Sequence, residues 1–309
     1  MEQKRSIRRT WALVRQQRAF YLFLLPGFVL VMLFSYLPLY GLVGAFQAYN
    51  PFKGFFASPW VGLKNFRVLF VLPDFRQVLF NTINIGFWNF LFGFPAPIVL
   101  AILLNEIRSA PFKKINQTIS HIPNFISWVV ASGIFYKMLA ADGVVNGLLA
   151  ALGVGGPIYF FNEPRYFVAL TVVTSLWKGV GFGSILYLAV LTSIDPGLYE
   201  ASEIDGAGKM KQIRYITLPG ILPTITLMLV LSLSNILNVS FDQVYTMQNT
   251  MNLSASDVLD TYIFRIAMNG MITDYSRGIA MGLFRAVICL ILFGTANFAS
   301  RRLGSGSVF

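Results

Sequence analysis

The sequence predicts an all-α polytopic membrane protein with six transmembrane helices, and three observations support this fold class. Of its 309 residues, 56% are hydrophobic and only 12% are charged, with a mean hydropathy of +0.64. A typical soluble domain has about 25% charged residues. The apolar residues form runs as long as a bilayer requires, and the charged residues concentrate between these runs. Since no separate soluble domain is visible, we expect residues 1–309 to form a single transmembrane domain.

Six apolar runs are long enough to cross a membrane, which takes about 20 mostly apolar residues. They cover residues 20–46, 79–104, 119–139, 166–192, 221–241 and 279–299. The first run follows the charged stretch 1–18 and is too long for the apolar core of a signal peptide. We therefore expect it to remain in the protein as the first span.

The distribution of Lys and Arg predicts which side of the membrane each connecting segment occupies. With both termini in the cytoplasm, the inner segments contain fourteen basic residues and the outer segments seven. Because Lys and Arg are enriched in cytoplasmic loops, we expect the N- and C-termini and the segment 195–219 to be cytoplasmic. The longer outer segments are 47–78, which we expect to fold along the outer surface, and 242–278. In the latter, acidic and basic residues face each other, namely Asp257, Asp260, Asp274, Arg265 and Arg277.

The inventory of reactive residues argues against an enzyme. One cysteine, Cys289, excludes an intramolecular disulfide and a Cys-based metal site, and one histidine, His121, leaves too few parts for a zinc protease or a histidine triad. The string from Gly206 to Lys209 is similar to a phosphate loop, but Met210 stands where Ser or Thr would reach magnesium. The net charge of +11 lies between spans rather than in a stripe with aromatics, so we expect no nucleic-acid partner. We expect no catalytic residue, metal site or nucleotide site in this chain.

The segment 195–219 predicts a charged helical hairpin. Asp195 before Pro196 is typical of a helix start, and Gly206 predicts its end. A second short helix is expected from about Ala207 to Ile216, ended by Leu218-Pro219. Glu200 and Glu203 share one face of the first helix, with Leu198 and Ala201 roughly opposite. A hairpin of this kind between two spans indicates docking on a cytoplasmic partner.

Polar residues inside the spans predict a substrate path, because they are costly in lipid and usually face a cavity or a partner. Asn235, Asn238 and Asp242 recur at spacings of three and four, which would place them on one helical face. Amides, hydroxyls and aromatic rings together suit a sugar. The expected path residues are Ser234, Asn235, Asn238, Asp242, Trp177, Lys178, Tyr187 and Arg285, with Asn84, Trp88 and Asn89 adding further polar and aromatic surface.

Two alternatives remain open for these residues. The amides could join helices to each other rather than contact a ligand. If Lys178 and Arg285 faced a cavity, they would favour an acidic, uronate-containing oligosaccharide, but each could equally pair with a carboxylate or extend toward the interface. Small residues recurring every four positions predict close helix packing in the fourth and sixth spans, at Gly179 and Gly183 and at Gly278, Gly282 and Ala286.

The hairpin resembles the EAA loop of permease subunits from bacterial binding-protein-dependent ABC importers. That pattern reads Glu-Ala-Ala, three residues, Gly, about nine residues, then Ile-x-Leu-Pro. The matching residues here are Glu200, Ala201, Asp205, Gly206, Ala207, Gln212, Ile216, Leu218, Pro219 and Pro223, and Ser202 stands where the second alanine is usual. The six-span arrangement resembles the maltose-permease-like carbohydrate branch of type I importers, and especially its LplB-like subunits for complex oligosaccharides.

This resemblance implies a type I ABC importer permease fold with cytoplasmic EAA coupling helices, in a bacterial cytoplasmic membrane. Its implied partners are two ABC ATPase subunits that bind ATP and magnesium, a homologous second permease, an extracellular or periplasmic solute-binding protein, and an oligosaccharide. The implied ATPase-coupling residues are Glu200, Ala201, Ser202, Asp205, Gly206, Ala207, Leu218 and Pro219. Two other interpretations stay open: an intramembrane transferase using Asp242 or Glu163 as acid or base, and a scaffold or channel that docks a cytoplasmic partner without pumping.

Overall fold

The fold is known from a computed structural model, which describes residues 16–268 and 274–302, with side chains up to residue 299. The α-helices are α1 (Arg18–Val31), α2 (Gly54–Ala57), α3 (Lys64–Val71), α4 (Pro73–Gly93), α5 (Pro95–Asn105), α6 (Ala110–His121), α7 (Trp128–Leu139), α8 (Val144–Ala151), α9 (Pro164–Leu191), α10 (Pro196–Ile204), α11 (Lys209–Gln212), α12 (Leu218–Ser234), α13 (Phe241–Met247), α14 (Leu253–Ser256), α15 (Leu259–Met268) and α16 (Tyr275–Arg302). Within the described residues there is no strand, and one isolated β-bridge joins Gln47 and Trp60.

Six helical segments are long and apolar enough to cross a membrane, which confirms the predicted fold class. They are Arg18–Phe46, Pro73–Glu106, Trp128–Ala151, Pro164–Leu191, Lys209–Ser234 and Tyr275–Ala299. In the first of them, α1 continues through a π-helical turn, Met32–Tyr36, into a 3-10 helix, Leu37–Phe46. None of the side chains of α1 is buried, so α1 contributes nothing to the apolar core, whereas Ala45 of the 3-10 helix does.

The third apolar run is not the continuous helix predicted over residues 119–139. Helix α6 ends at His121, a 3-10 turn covers Ile122–Phe125, and α7 begins only at Trp128. Pro123 cannot donate a backbone hydrogen bond, and Ser127 starts a new helix because its hydroxyl accepts from the N–H of Val130 at 3.3 Å. Residues 122–127 are called the third-span interruption below.

The fifth apolar run, predicted over residues 221–241, is also interrupted. Helix α12 ends at Ser234, residues 235–240 are not helical, and α13 begins at Phe241, with the hydroxyl of Ser240 accepting from the N–H of Gln243. The expectation that Asn235, Asn238 and Asp242 share one helical face is therefore wrong. Asn and Ser side chains compete for backbone hydrogen bonds and favour such breaks. Residues 235–240 are called the fifth-span interruption.

In the hairpin the structure is more continuous than predicted. Its second helix does not end at Leu218-Pro219. Helix α11 runs through a π-helical turn, Ile213–Thr217, directly into α12. A proline ring inside an α-helix clashes with the carbonyl four residues earlier. The wider π-turn, in which the N–H of Leu218 bonds to the carbonyl of Ile213, lies where this clash would occur. The fifth span is thus continuous with the hairpin.

Three clusters of buried apolar side chains hold the helices together. Typical members are Phe75, Leu259 and Met281 in the first cluster, Ile85, Phe167 and Val244 in the second, and Ile98, Leu188 and Ile221 in the third. The second and third clusters both use α9, so α9 is the helix around which the other spans are arranged. The first cluster anchors the segment 47–72, where the amide of Asn65 donates to the carbonyls of Ala45 and Gln47.

Candidate functional site: a cavity between two helix interruptions

A cavity of about 490 Å³ lies where the two interruptions face α9 and the junction of α4 and α5. Its size falls in the usual range of ligand sites, about 300–1,000 Å³. Its polar lining residues are Asn89, Asn124, Ser175, Lys178, Ser232, Asn235, Asn238, Ser240 and Gln243, and its aromatic ones are Phe90, Phe94 and Trp128. Among these described lining residues Lys178 carries the only charge. We call this space the broken-helix cavity.

The structure brings three of the eight expected path residues to this cavity, namely Asn235, Asn238 and Lys178. Tyr187 lies instead in the third apolar cluster and is 4% exposed. Arg285 pairs with Asp260, which ties α16 to α15. The remaining three do not line the cavity: Ser234 bonds to its own helix, Asp242 is exposed, and Trp177 packs edge-on against Phe135.

The end of α6, just before the third-span interruption, and the fifth-span interruption each lie against a glycine of a neighbouring helix. A Cβ atom on Gly181 of α9 would stand 1.8 Å from the carbonyl oxygen of Ser120, and one on Gly86 of α4 would stand 1.9 Å from that of Ile236. Only glycine permits such approach of two backbones. The sequence pattern gave no sign of either position and favoured two others on α9. A Cβ on Gly179 would meet nothing within 4 Å, and one on Gly183 would meet only a proline side chain.

The sixth-span glycines were likewise given more weight than the geometry supports. A Cβ on Gly278 would make ordinary contacts with Ile263 and Ala267 at 3.6 and 3.9 Å, and one on Gly282 would meet nothing within 4 Å. Small residues at a spacing of four identify where two helices can approach. They do not identify which helix end or carbonyl fills the space.

Gln243 makes three side-chain hydrogen bonds at the cavity, and no sequence pattern singled it out. Its amide nitrogen donates to the carbonyl of Thr171 and to the hydroxyl of Thr174, both at 2.8 Å, and its amide oxygen accepts from the hydroxyl of Ser175 at 3.0 Å. The side chain is 1% exposed. Gln243 therefore joins α13, the helix after the fifth-span interruption, to α9. A glutamine near the N-terminus of a helix gives no signal of such a role.

Lys178 fills the third-span interruption from α9. Its ammonium donates to the backbone carbonyls of Pro123 at 3.3 Å, Asn124 at 2.8 Å and Ile126. The same ammonium lies 5.5 Å from the ring centre of Trp128. The alternative pairing with a carboxylate is therefore wrong for Lys178, whereas Arg285 does pair with one.

The fifth-span interruption presents its amides differently. Asn235 donates to the carbonyl of Leu231 at 2.9 Å, while Asn238 has no side-chain hydrogen bond to any described residue. Both are exposed on the cavity side of the chain. An amide offers two donors and an acceptor, so this interruption can bond to the hydroxyl groups of a ligand.

The hairpin was predicted closely in its first half. Asp195 accepts from the N–H of Gly197 at 2.9 Å, and Gly206 has a φ of +74°. The N–H of Ala207 bonds to the carbonyl of Ser202 and that of Gly206 to the carbonyl of Glu203, which is a Schellman helix end. Glycine adopts this left-handed conformation without strain.

Ser202 is more than a small replacement for alanine. Its hydroxyl donates to the carbonyl of Tyr199 at 2.8 Å and accepts from the amide of Gln212 at 2.9 Å. Gln212 is 1% exposed and also accepts from Lys209 at 2.9 Å. The two arms of the hairpin are thus joined by side-chain hydrogen bonds, while Glu200 on the outside remains exposed.

The acidic and basic residues of the segment after α13 form ion pairs, as their sequence proximity suggested. Asp257 pairs with Arg265, and Asp274 with Arg277 at 2.5 Å. Burial raises the pKa of the Asp257 carboxyl, against the opposing effects of the Thr261 hydroxyl, which donates to it at 2.9 Å, and of Arg265. These pairs fold the segment and lie apart from the cavity.

No group of three or more His, Cys, Asp or Glu side chains within the described ranges is arranged to hold a metal ion. His121 ends α6, next to the third-span interruption, and its Nε2 is buried without a hydrogen-bond partner among the described residues. Cys289 is half-buried on α16.

Known proteins share both the sequence and this architecture. Residues 93–305 match the family model described as binding-protein-dependent transport system inner membrane component. Protein LplB of Bacillus subtilis is 38% identical over 299 residues, which cover 96% of this chain and 93% of LplB. The polygalacturonan/rhamnogalacturonan transport system permease protein YteP of the same organism is 39% identical over 295 residues, covering 95% and 91%.

Two solved structures agree with the fold at high similarity. One is a bacterial ABC transporter involved in the import of the acidic polysaccharide alginate, with a TM-score of 0.86 and 37% identity, covering 95% of this chain and 99% of that one. The other is a bacterial alginate ABC transporter in complex with a periplasmic protein bound to an alginate pentasaccharide, with a TM-score of 0.87 and 36% identity, covering 97% and 100%. The chain therefore belongs to the binding-protein-dependent transport system inner membrane component family, the permease subunits of ABC importers.

Proposed function

We propose that this chain is a permease subunit of an ATP-driven importer that takes acidic oligosaccharides from a solute-binding protein and passes them into the cytoplasm. The observation that carries the proposal is the broken-helix cavity. Interrupted helices inside a membrane bundle are typical of transporter binding sites. The cavity combines amides and hydroxyls with the rings of Phe90, Phe94 and Trp128, and such a lining suits the polar edge and apolar face of a sugar ring.

The acidic nature of the substrate is proposed from the relatives. YteP is named for polygalacturonan and rhamnogalacturonan, and both solved structures concern alginate. Each of these is a polymer that contains uronic acids. The identities of 36–39% over nearly the whole chain support the same substrate class for this protein.

Energy enters through the hairpin in this proposal. The hairpin, residues 195–219, docks with Glu200 and its exposed neighbours on a cytoplasmic ATPase subunit that binds ATP and magnesium. Because α11 continues through the π-turn into α12, a movement of the hairpin reaches the fifth-span interruption along one helix. The hairpin and both termini are cytoplasmic, in agreement with the excess of basic residues on that side. A homologous second permease completes the path.

The test of this function is transport by the complete complex in proteoliposomes. The chain is reconstituted with its second permease and ATPase subunits, ATP is enclosed, and the solute-binding protein is added outside with oligogalacturonate or alginate oligosaccharide. We expect substrate-stimulated ATP hydrolysis and uptake of the acidic sugar, with little uptake of a neutral malto-oligosaccharide. Uptake of the neutral sugar alone would contradict the acidic class, and binding of the ATPase without any stimulated hydrolysis would favour a scaffold.

The coupling part is tested by Gly206→Val with Gly208→Val as matched control. Both glycines lie in the same turn and neither has an atom within 4 Å of a Cβ position, but only Gly206 has a positive φ. A β-branched residue there costs about 1–3 kcal/mol of backbone strain. We expect the Gly206 variant to insert normally but to lose about tenfold or more of its ATP-dependent uptake, on the scale of this strain. Equal uptake by the two variants would refute the coupling role.

A further inference from the structure

The Lys178 ammonium has no donor left for a ligand. An ammonium carries three N–H donors and no acceptor, and the three carbonyls of Pro123, Asn124 and Ile126 take all of them. A substrate carboxylate could bond to Lys178 only by displacing one of these carbonyls. Facing the cavity is therefore not sufficient for Lys178 to act as a substrate ligand.

Two of these carbonyls, those of Asn124 and Ile126, accept no backbone hydrogen bond from the described residues, whereas that of Pro123 also accepts from the N–H of Ile126 at 3.2 Å. The last carbonyls of a helix have no intrahelical donor and carry the negative end of the helix dipole. Here α6 ends at His121 and the 3-10 turn at Phe125. The ammonium of Lys178 therefore satisfies two carbonyls that have no backbone donor and gives that of Pro123 a second hydrogen bond, and the carbonyl dipoles compensate its charge.

The same contact determines the position of two cavity residues. Asn124 contributes one of the bonded carbonyls, and Trp128, the first residue of α7, has its ring 5.5 Å from the ammonium. Both side chains line the broken-helix cavity. Gly181 lies three residues after Lys178 on the same face of α9. Because it has no side chain, the backbone of Ser120 can pack directly against the helix there. Gly181 thus holds the end of α6, and Lys178 the third-span interruption that follows it, against α9.

We propose that Lys178 is a positioning residue, a tethered ammonium that closes the third-span interruption and holds Asn124 and Trp128 in the cavity wall, rather than a ligand that selects acidic substrates. The transport consequence rests on the proposed function; the structural one does not. Loss of the ammonium should loosen residues 124–131 whatever the substrate, and should lower the uptake of an oligogalacturonate and of its partly methyl-esterified form by the same factor.

The experiment measures amide hydrogen exchange in the purified complex by mass spectrometry. In Lys178→Ala, the side-chain atoms removed correspond to n-propylammonium, which supplies both the chain and the three donors. Lys137→Ala is the matched control, because Lys137 is an exposed lysine of α7 whose loss removes the same charge. We expect exchange at residues 124–131 to rise about tenfold or more in Lys178→Ala, and to stay at the wild-type rate in Lys137→Ala.

Chemical rescue separates a lost ammonium from general damage. Added n-propylammonium should return exchange in Lys178→Ala toward the wild-type rate, whereas tetramethylammonium, which has no N–H donor, should not. Wild-type exchange in Lys178→Ala, or equal rescue by both cations, would overturn the proposal. If the alanine variant does not fold, Lys178→Met keeps the volume without the donors, and the same exchange measurement decides.

Uptake by Lys178→Ala in proteoliposomes completes the test. Loss by the same factor for an oligogalacturonate and for its partly methyl-esterified form of the same length supports positioning, and loss confined to the fully charged sugar, with exchange unchanged, would make Lys178 a substrate ligand. If the wild-type complex takes up no acidic oligosaccharide, the proposed substrate class fails, while the exchange and rescue results still decide the role of Lys178.

Discussion

Both helix interruptions that border the cavity break the backbone hydrogen bonding of a helix, but different side chains lie at the two breaks. A glycine of a neighbouring helix lies against each break, Gly181 against the end of α6 just before the third-span interruption and Gly86 against the fifth-span interruption. At the third-span interruption a lysine from another helix, Lys178, donates hydrogen bonds to the backbone carbonyls. At the fifth, Asn235 and Asn238 stand at the cavity, and Asn238 makes no side-chain hydrogen bond within the described part of the chain. The third-span interruption therefore forms part of the cavity wall, whereas the fifth-span interruption is a contact surface for a ligand.

The largest effects are expected where the two interruptions are alike. In Gly181→Ala and in Gly86→Ala the new Cβ would lie 1.8 and 1.9 Å from a backbone oxygen, and neither backbone can yield without moving a helix end. Overpacking of this kind costs about 1–3 kcal/mol or more. We expect both variants to lower the midpoint of thermal unfolding in detergent and the yield of folded protein.

Matched controls exist on the same helices. A Cβ at Gly179 of α9 or at Gly93 of α4 meets nothing within 4 Å, and replacing a helical glycine by alanine stabilises by about 0.5–1 kcal/mol. The unfolding midpoint should rise slightly in these two variants. If Gly181→Ala behaved like Gly179→Ala, the end of α6 would not be packed against α9, and the comparison would fail at its first step.

The next effect distinguishes how each interruption is tied to α9. The uncharged amide of Gln243 joins the helix after the fifth-span interruption to α9. The third-span interruption is joined to α9 by the charged ammonium of Lys178 instead. Gln243→Leu removes three hydrogen bonds and leaves the Ser175 hydroxyl without its acceptor, while Thr171 and Thr174 keep bonds within α9, so we expect a loss of about 1–3 kcal/mol in the free energy of unfolding. Thermal unfolding measures it.

Asp242→Asn is the control for Gln243→Leu, because Asp242 is the exposed neighbour of Gln243. A surface change of this kind is expected to stay within about 0.5 kcal/mol. A Gln243→Leu protein as stable as wild type would mean that α13 is held by apolar packing alone. The two interruptions would then differ more than described.

The smallest effect concerns substrate contact at the fifth-span interruption. Asn238→Ala removes an amide that bonds to no described residue, so stability should hardly change. Loss of one hydrogen bond to substrate, about 1 kcal/mol, should lower uptake roughly fivefold. Asn84→Ala on α4, which removes an asparagine that does not line the cavity, should transport normally. A loss of stability in Asn238→Ala, with uptake per folded complex unchanged, would contradict a contact surface.

The hairpin shows how much of this protein can be predicted locally. Asp195 and Gly206 act through the backbone groups of their immediate neighbours, and therefore their residue types were sufficient to locate the first helix and its end. The prediction failed at Leu218-Pro219, because a proline signals a helix end unless the preceding turn widens. The π-turn over Ile213–Thr217 makes room for the proline, and the residue types alone do not predict it.

The spans show the corresponding limit. Hydropathy gave their number correctly, since it depends only on the length of apolar runs, but it could not detect an interruption inside an apolar run. Polar residues in spans were recognised as candidates for the cavity, yet Tyr187 lies in an apolar cluster and Arg285 in an ion pair. The spacing of residues along one helix does not say which neighbouring helix each will meet.

By itself, the sequence determined an all-α membrane protein of six spans and a hairpin typical of ABC importer permeases, because helix length, capping and charge bias are local properties. The tertiary structure decided that two of the predicted apolar runs are interrupted, that Gly181 lies against the end of α6 and Gly86 against the fifth-span interruption, and that Lys178 bonds to carbonyls 52 to 55 residues earlier in the chain. A carbonyl freed at a helix end must find its donor wherever packing brings one. No local pattern specifies which distant residue that will be.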